Sequence, residues 1–184
     1  MSNTIIMGID LSFRNTGVAV IDRIKHGDSV ELRPRLATVV TTKKPEKCET
    51  LDRVRREINN IKRLRMGIEE MIDKYNPDII VIEIPHFSQS ASGSYAMGIC
   101  HSMVESIRDT YDLKKFGIIL PKRLKDWAGS LKGDGKAAVK HKVRGYDCYS
   151  EIRNDNIIDA IGIALLWCDK LTLDEHDQED FNNW

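Results

Sequence analysis

Hydrophobic and polar positions along the chain fall into two periods. "TIIMGID" (4–10) is short, continuous and rich in β-branched residues, the pattern of a buried strand. "TGVAVID" (16–22) repeats it closely enough behind to form a hairpin. "SVELRPRLATVVTT" (29–42) reads as a third strand, with Pro34 placing a bulge or a sheet edge within it. Together they predict an antiparallel meander. Over 45–75 the period changes. Leu51, Val54, Ile58, Ile61, Ile68 and Ile72 recur at three- and four-residue steps, which marks one long amphipathic helix. Arg65 falls on that seam, and Leu64 beside it takes over the apolar role. "NPDIIVIEIP" (76–85) then gives a turn, a buried strand and a proline stop. A helix follows from about Ser94 to Tyr111, then a strand over "FGIILP" (116–121). Next come a short helix near Leu124–Ala128, a Gly/Lys-rich loop, a helix from Lys136 to about Gly145, and a last helix beginning after Arg153. An antiparallel meander feeding strand–helix alternation predicts an α/β fold: a mixed sheet with helices on both faces.

Length and charge refine this picture only slightly. At 184 residues the chain fits one domain over 1–170, large enough for a proper core, with an acidic tail over 171–184. The formal net charge is zero, but the tail holds five acids and no Lys or Arg. The body therefore carries 28 bases against 23 acids. Such an asymmetry suits a nucleic-acid binder, and equally a plain solubilising tail. Cys48, Cys100, Cys148 and Cys168 lie far apart with no C-x-x-C pair, so neither a zinc site nor a disulfide framework is indicated. The apolar start is interrupted by Asp10, and no apolar run approaches membrane-spanning length. A cytoplasmic protein without a membrane partner is expected.

The chemistry lies in carboxylates at the ends of apolar elements. Asp10 closes the first strand, and Glu83 lies near the end of the fourth with apolar neighbours on both sides. Asp159 sits one turn inside the last helix, with Asp155 four residues before it on the same side. Each admits a bland reading: Asp10 as a turn cap, Asp155 as a helix N-cap, Asp159 as a solvated helix residue. Glu83 is the hardest to dismiss, because a charge in an aliphatic strand needs a partner. A parallel crossover would set the ends of strands one and four side by side, and a helix crossing the sheet would bring Asp159 to that corner. Acids gathered there repel unless cations lie between them. Hard oxygen donors select Mg²⁺ or Mn²⁺, and two such ions roughly 3.5–4 Å apart suit phosphodiester hydrolysis.

At these residues the chain resembles a family. "MGIDLSFRNTGVAVID" looks like the opening of RuvC-type Holliday-junction resolvases, "IIVIEIPHFSQSASGSYAMG" is similar to their second acid motif, and "NDNIIDAIGIALL" resembles their closing helix. Order and spacing hold for all three, over about residues 5–168. The resemblance implies an RNase H-like fold and a homodimer that resolves four-way DNA junctions by paired nicks. It also implies two Mg²⁺ ions per site, with Mn²⁺ as a substitute, and no nucleotide cofactor. Asp10, Glu83 and Asp159 match the metal-binding, catalytic acids. Leu11 stands where many relatives have proline. The fourth ligand is expected three residues before Asp159, where this chain has Asn156. Asp155, one step back, is favoured because a carboxylate binds Mg²⁺ better than an amide; the Asn156 carbonyl is the alternative.

DNA contacts are expected from the basic stretch 114–144, which has ten bases against Asp126 and Asp134. Lys122, Arg123, Lys132, Lys136, Lys140, Lys142 and Arg144 are the candidates, with Lys136 resembling a basic residue near the scissile phosphate. A solvated charged face is the plain alternative. Phe87 matches an aromatic that wedges into an opened junction in the family, or else packs beneath its loop; Ser88 and Gln89 offer donors to phosphate, and His86 is more simply a loop residue. The helix bearing Tyr95, Met97, Gly98, His101 and Met103 resembles the family's dimer helix, and would equally suit a monomer core. Other readings are a nuclease for flap or fork DNA, a catalytically weak DNA-binding relative, and an RuvX-type relative, which would lack the strand bearing Glu83. An actin-like ATPase would need about twice the length.

Overall fold

The computed structural model describes residues 2–42, 50–83, 91–111, 115–130 and 134–174. Five strands form one sheet: β1 (Ser2–Asp10), β2 (Asn15–His26), β3 (Ser29–Thr41), β4 (Ile79–Glu83) and β5 (Phe116–Ile119), in the order β3-β2-β1-β4-β5. β3, β2 and β1 are antiparallel, whereas β4 and β5 join in parallel, so the sheet is mixed as expected. The helices are α1 (Thr50–Tyr75), α2 (Ala91–Tyr111), α3 (Pro121–Trp127), α4 (Gly135–Arg144) and α5 (Asp155–Asp174), with a 3₁₀ turn over Asp147–Tyr149.

Alternation along the strands divides the core in two. Met7, Ile9, Val18, Val20, Ile80 and Ile82 face α1 and α2, packing on Leu64, Ile68, Ile72, Met103, Val104 and Ile107. Ile6, Ala19, Ile21, Ile79, Val81 and Ile119 face the other way, onto Ile158, Ile161, Leu165 and Trp167 of α5, with Leu124, Val139 and Val143 beside them. Helices thus cover both faces.

Pro34 acts as anticipated. Pairing between β2 and β3 slips beside Val20/Ile21, leaving Arg35 unopposed between Pro34 and Leu36. Arg35 Nε then reaches buried Asp22 at 2.7 Å. On α1 the seam differs from the predicted one. Leu64 is buried, but Ile58 is 44% exposed and Asn60 is buried in its stead. Arg65 leaves the seam to bind Glu69 at 2.6 Å and Ser106 of α2 at 2.8 Å. Leu51 and Val54 have side chains outside the described residues. The helix stops at Asn76, which takes the left-handed φ of 43° that asparagine tolerates at a helix end.

The parallel pair that matters most is fixed at its start. Asp78 Oδ2 accepts from Ile5 N at 2.7 Å, while Asp78 N donates to Ile5 O at 2.9 Å. From that anchor the register runs Ile6↔Ile79 to Asp10↔Glu83.

Candidate active site at the sheet corner

Register and alternation together decide where the two strand acids point. Asp10 and Glu83 are direct partners across the parallel pair. Each lies two residues beyond a position on the α5 face: Gly8, whose Cα approaches Ala160 and Ala164, and Val81, which is packed in the α5-side core. Both carboxylates therefore leave the sheet toward α5.

The helix comes to meet them because two glycines let it. A Cβ on Gly8 would collide with the Ala160 carbonyl and lie 2.8 Å from the Ala164 amide; one on Gly17 would collide with the Asn156 carbonyl. With only hydrogen at these positions, α5 lies directly on β1 and β2. Its start is set by Asn154, whose Oδ1 accepts from Asn156 N at 3.0 Å and Ile157 N at 3.3 Å. Asn154 is thus the N-cap, and Asp155 opens the first turn. One turn on, Asp159 faces the corner formed by Asp10 and Glu83.

The polar stretch after β1 is tied to itself. Thr16 Oγ1 donates to Ser12 O at 2.6 Å and accepts from Ser12 N at 3.2 Å. Thr42 clasps the same loop, donating from N to Arg14 O at 2.9 Å and from Oγ1 to Phe13 O at 2.8 Å. These bonds hold the end of β1 rigid beside the acid.

The electrostatics register the crowding. Burial, then Asp159, pushes Asp10 up to about 7 against the pull of Lys136. Burial, then Asp10 and Asp159, pushes Glu83 up to about 7, with Lys125 and Lys136 opposing. Asp159 is raised by burial and by Asp155, and lowered by Lys136 and Lys125. Glu83 Oε2 is buried with no hydrogen-bond partner among the described residues. A set of hard oxygen donors, one of them orphaned, has the chemistry that suits a divalent cation. Among the described residues no ready-made cluster of three His, Cys, Asp or Glu side chains is present.

The remaining candidates fall in different places. Asp155 stands at the rim, 63% exposed and 3.3 Å from Lys140. Asn156 is half-buried, its carbonyl against Gly17. A cleft of about 230 Å³ between α4 and α5 is lined by Lys136, Lys140, Asp155 and Asp159, so these four converge. Lys122 and Arg123 are exposed on α3. Lys142 turns inward, donating to the Trp127 carbonyl at 2.5 Å with its ammonium 4.1 Å from that ring's centre. Arg144 clamps the Ile152 carbonyl through Nε at 3.1 Å and one Nη at 2.8 Å. Lys132, Phe87, Ser88 and Gln89 lie outside the described residues, as does His86. On α2, Met103 faces the core while Tyr95 is 51% exposed. Lys125 is not among the candidates that the sequence offers. Its stem runs along Gly135 and its charge reaches Glu83 and Asp159. Nothing in a linear run of lysines separates it from Lys122, three residues away.

No protein-family model and no curated protein sequence matches the chain. Solved structures do. The chain is similar to Thermus thermophilus RuvC in complex with a Holliday junction substrate, at 19% identity and TM-score 0.70 over 92% of this chain and 96% of that one. It is similar to the yeast mitochondrial Holliday junction resolvase Ydc2, at 14% identity and TM-score 0.63 over 94% and 81%. It also resembles the fowlpox virus resolvase in complex with Holliday junction DNA, at 14% identity and TM-score 0.54 over 91% and 98%. At these identities what is shared is the fold, and the mixed sheet with helices on both faces is the RNase H-like arrangement that the sequence predicts.

Proposed function

We propose that this protein is a metal-dependent endonuclease of the RuvC type, acting as a homodimer that resolves four-way DNA junctions by paired nicks. The observation that carries the reading is the convergence of Asp10, Glu83 and Asp159 at one sheet corner, with Lys125 and Lys136 beside them. Three structures that share the fold over most of their length are described as Holliday junction resolvases or RuvC, two of them bound to junction DNA, which supports the same reading.

Hydrolysis of a phosphodiester needs a deprotonated water, a cation at the phosphoryl oxygens and stabilisation of the departing 3′-oxygen. Two Mg²⁺ ions, or Mn²⁺ in their place, held by Asp10, Glu83 and Asp159 with Asp155 or Asn156 as a fourth donor, would supply an activated water and stabilise the leaving oxygen. The chain's own residues prepare this. Asp10, in register with Glu83 and within electrostatic reach of Asp159, would hold such a cation together with those acids. Asp10 and Glu83, raised to about 7, hold their protons more tightly than ordinary carboxylates, so a cation arriving between them would favour the ionised forms and displace those protons. Lys136 and Lys125 offset the acids' charge and give an incoming phosphate a favourable approach. Rigid strand ends and a capped helix start hold these groups in place before substrate binds, which lowers the reorganisation needed in the reaction.

Four-way, three-way, flap and linear DNA incubated side by side with the protein in Mg²⁺ test the reading. Paired cuts in the four-way junction, lost in Asp10→Asn and Glu83→Gln while junction binding survives in EDTA, are the expected result. Undiminished cutting by either variant would refute it. Asn156, standing where the fourth acid is expected, favours one second reading, a junction-binding relative of low catalytic power. Tight binding without cutting by the unaltered protein would support that instead, and preferred cutting of flaps would redirect the substrate.

A further inference from the structure

Beyond the acid corner the structure holds a second cleft, of about 500 Å³, lined by Arg144, Ser150, Glu151 and Arg153. It lies where α4 ends and the 145–154 connection returns to α5. Arg144 and Arg153 thus gather on a segment whose bonds are largely internal. Tyr149 is buried, Ile152 N donates to Tyr149 O at 3.2 Å, and Arg144 grips the Ile152 carbonyl. That grip uses two of the five guanidinium donors, leaving three for a ligand. Ser150 Oγ donates to Asp147 O at 2.9 Å, so its proton is committed and the guanidiniums are the donors on offer. Among the described residues no acid pairs with Arg153. Glu151 is the single carboxylate in the lining.

The position of this cleft gives it meaning. Lys136, Lys140 and Arg144 are spaced four apart on α4, so they form a stripe along one side of the helix. Lys136 and Lys140 line the cleft that contains Asp159, and Arg144 lines the next. Eight helical residues span about 12 Å. At a rise of roughly 3.4 Å per nucleotide, that is three to four nucleotides of strand.

We propose that the Arg144/Arg153 cleft is a phosphate subsite, binding one backbone phosphate of the DNA strand about four nucleotides from the bond that is cut. This rests on the nuclease reading above and adds to it a fixed second contact that sets the strand's register. Arg144 is preorganised by Ile152, and Arg153 lines the same cleft, so both guanidiniums are donors for a phosphate bound there.

The test uses the full chain in EDTA with four-way junctions, each carrying one methylphosphonate, scanned over six nucleotides on either side of the mapped cut. Arg153→Gln should weaken binding of the unmodified junction about tenfold and lower the salt slope by about one. Glu151→Gln should tighten binding two- to threefold, roughly, by removing a like charge. One methylphosphonate position should weaken the unaltered protein and leave Arg153→Gln indifferent. An Arg153→Gln protein that binds like the unaltered one overturns the proposal. So does a variant that loses affinity equally at every modified position, since that would be diffuse attraction. Failure of the parent reading is separately visible: the unaltered protein would then bind no junction, or bind without cutting in Mg²⁺. If the unaltered protein binds without cutting, the scan is run over every phosphate of one arm, and a single-position effect lost in Arg153→Gln would support the subsite in a binding protein.

Discussion

Asp10 and Glu83 are carboxylates that the fold makes costly to ionise, and this has a measurable sign. Both are raised from the ordinary carboxylate range to about 7, burial being the larger cause and neighbouring acids the second. Through that window the folded protein binds more protons than the unfolded chain, so metal-free stability should fall as pH rises toward 7 and level off above it. Asp10→Asn removes this penalty. In EDTA at pH 8 it should unfold in urea with a stability higher by on the order of 1–2 kcal/mol, and at pH 5 the gain should shrink. A variant less stable than its parent at pH 8 would contradict the electrostatic account. The same variant should lose cleavage by on the order of 10²–10³-fold or more. Lys136 acts in the opposite sense, lowering Asp10, Glu83 and Asp159. Its replacement by Met should shift the acid limb of the pH–rate profile to higher pH, in addition to slowing the reaction; a slower enzyme with an unmoved limb would confine Lys136 to substrate binding.

At the scale of elements, α5 must lie flat on β1 and β2 for Asp159 to meet the strand acids. Gly17→Ala would drive a methyl into the Asn156 carbonyl, backbone against which no side chain can yield. Such overpacking costs about 1–3 kcal/mol, and it should lower cleavage at temperatures where circular dichroism still reports a folded protein. Full activity in a stable Gly17→Ala would separate the helix position from the site. The strands and helices were legible in the sequence because their periods are strong: the run to Asp10 and the run to Glu83 are each short, aliphatic and bounded by turn residues. Asp10 beside Glu83 followed from the crossover that two such strands require. Less was legible in α1. Ile58 fits the helical repeat yet is 44% exposed, and Asn60 is buried, because the face is chosen by what the sheet and α2 present. Arg65 illustrates the same limit. Its link to Ser106 lies 41 residues away and has no signature in either segment.

At the scale of the whole molecule, the basic stretch separates into parts that the sequence could not distinguish. Lys142 and Arg144 read alike as surface cations, but one is held by Trp127 and the other grips Ile152. Lys125, which no motif marks in the sequence, has its charge beside Glu83 and Asp159. Only folding α3 and α4 against α5 sorts these roles. With several phosphates neutralised by the remaining bases, junction affinity in EDTA should fall steeply and linearly on a log–log plot against salt. A flat dependence would remove the basic face from the account. Hydrolysis of junction DNA is the activity proposed for the corner of Asp10, Glu83 and Asp159. It is tested most directly by mapping cuts in a synthetic four-way junction in Mg²⁺ with the unaltered protein and with Asp10→Asn. Two symmetric nicks in opposing strands are expected with the former, and with the latter an intact, still-bound junction. Equal cleavage by both proteins would contradict it.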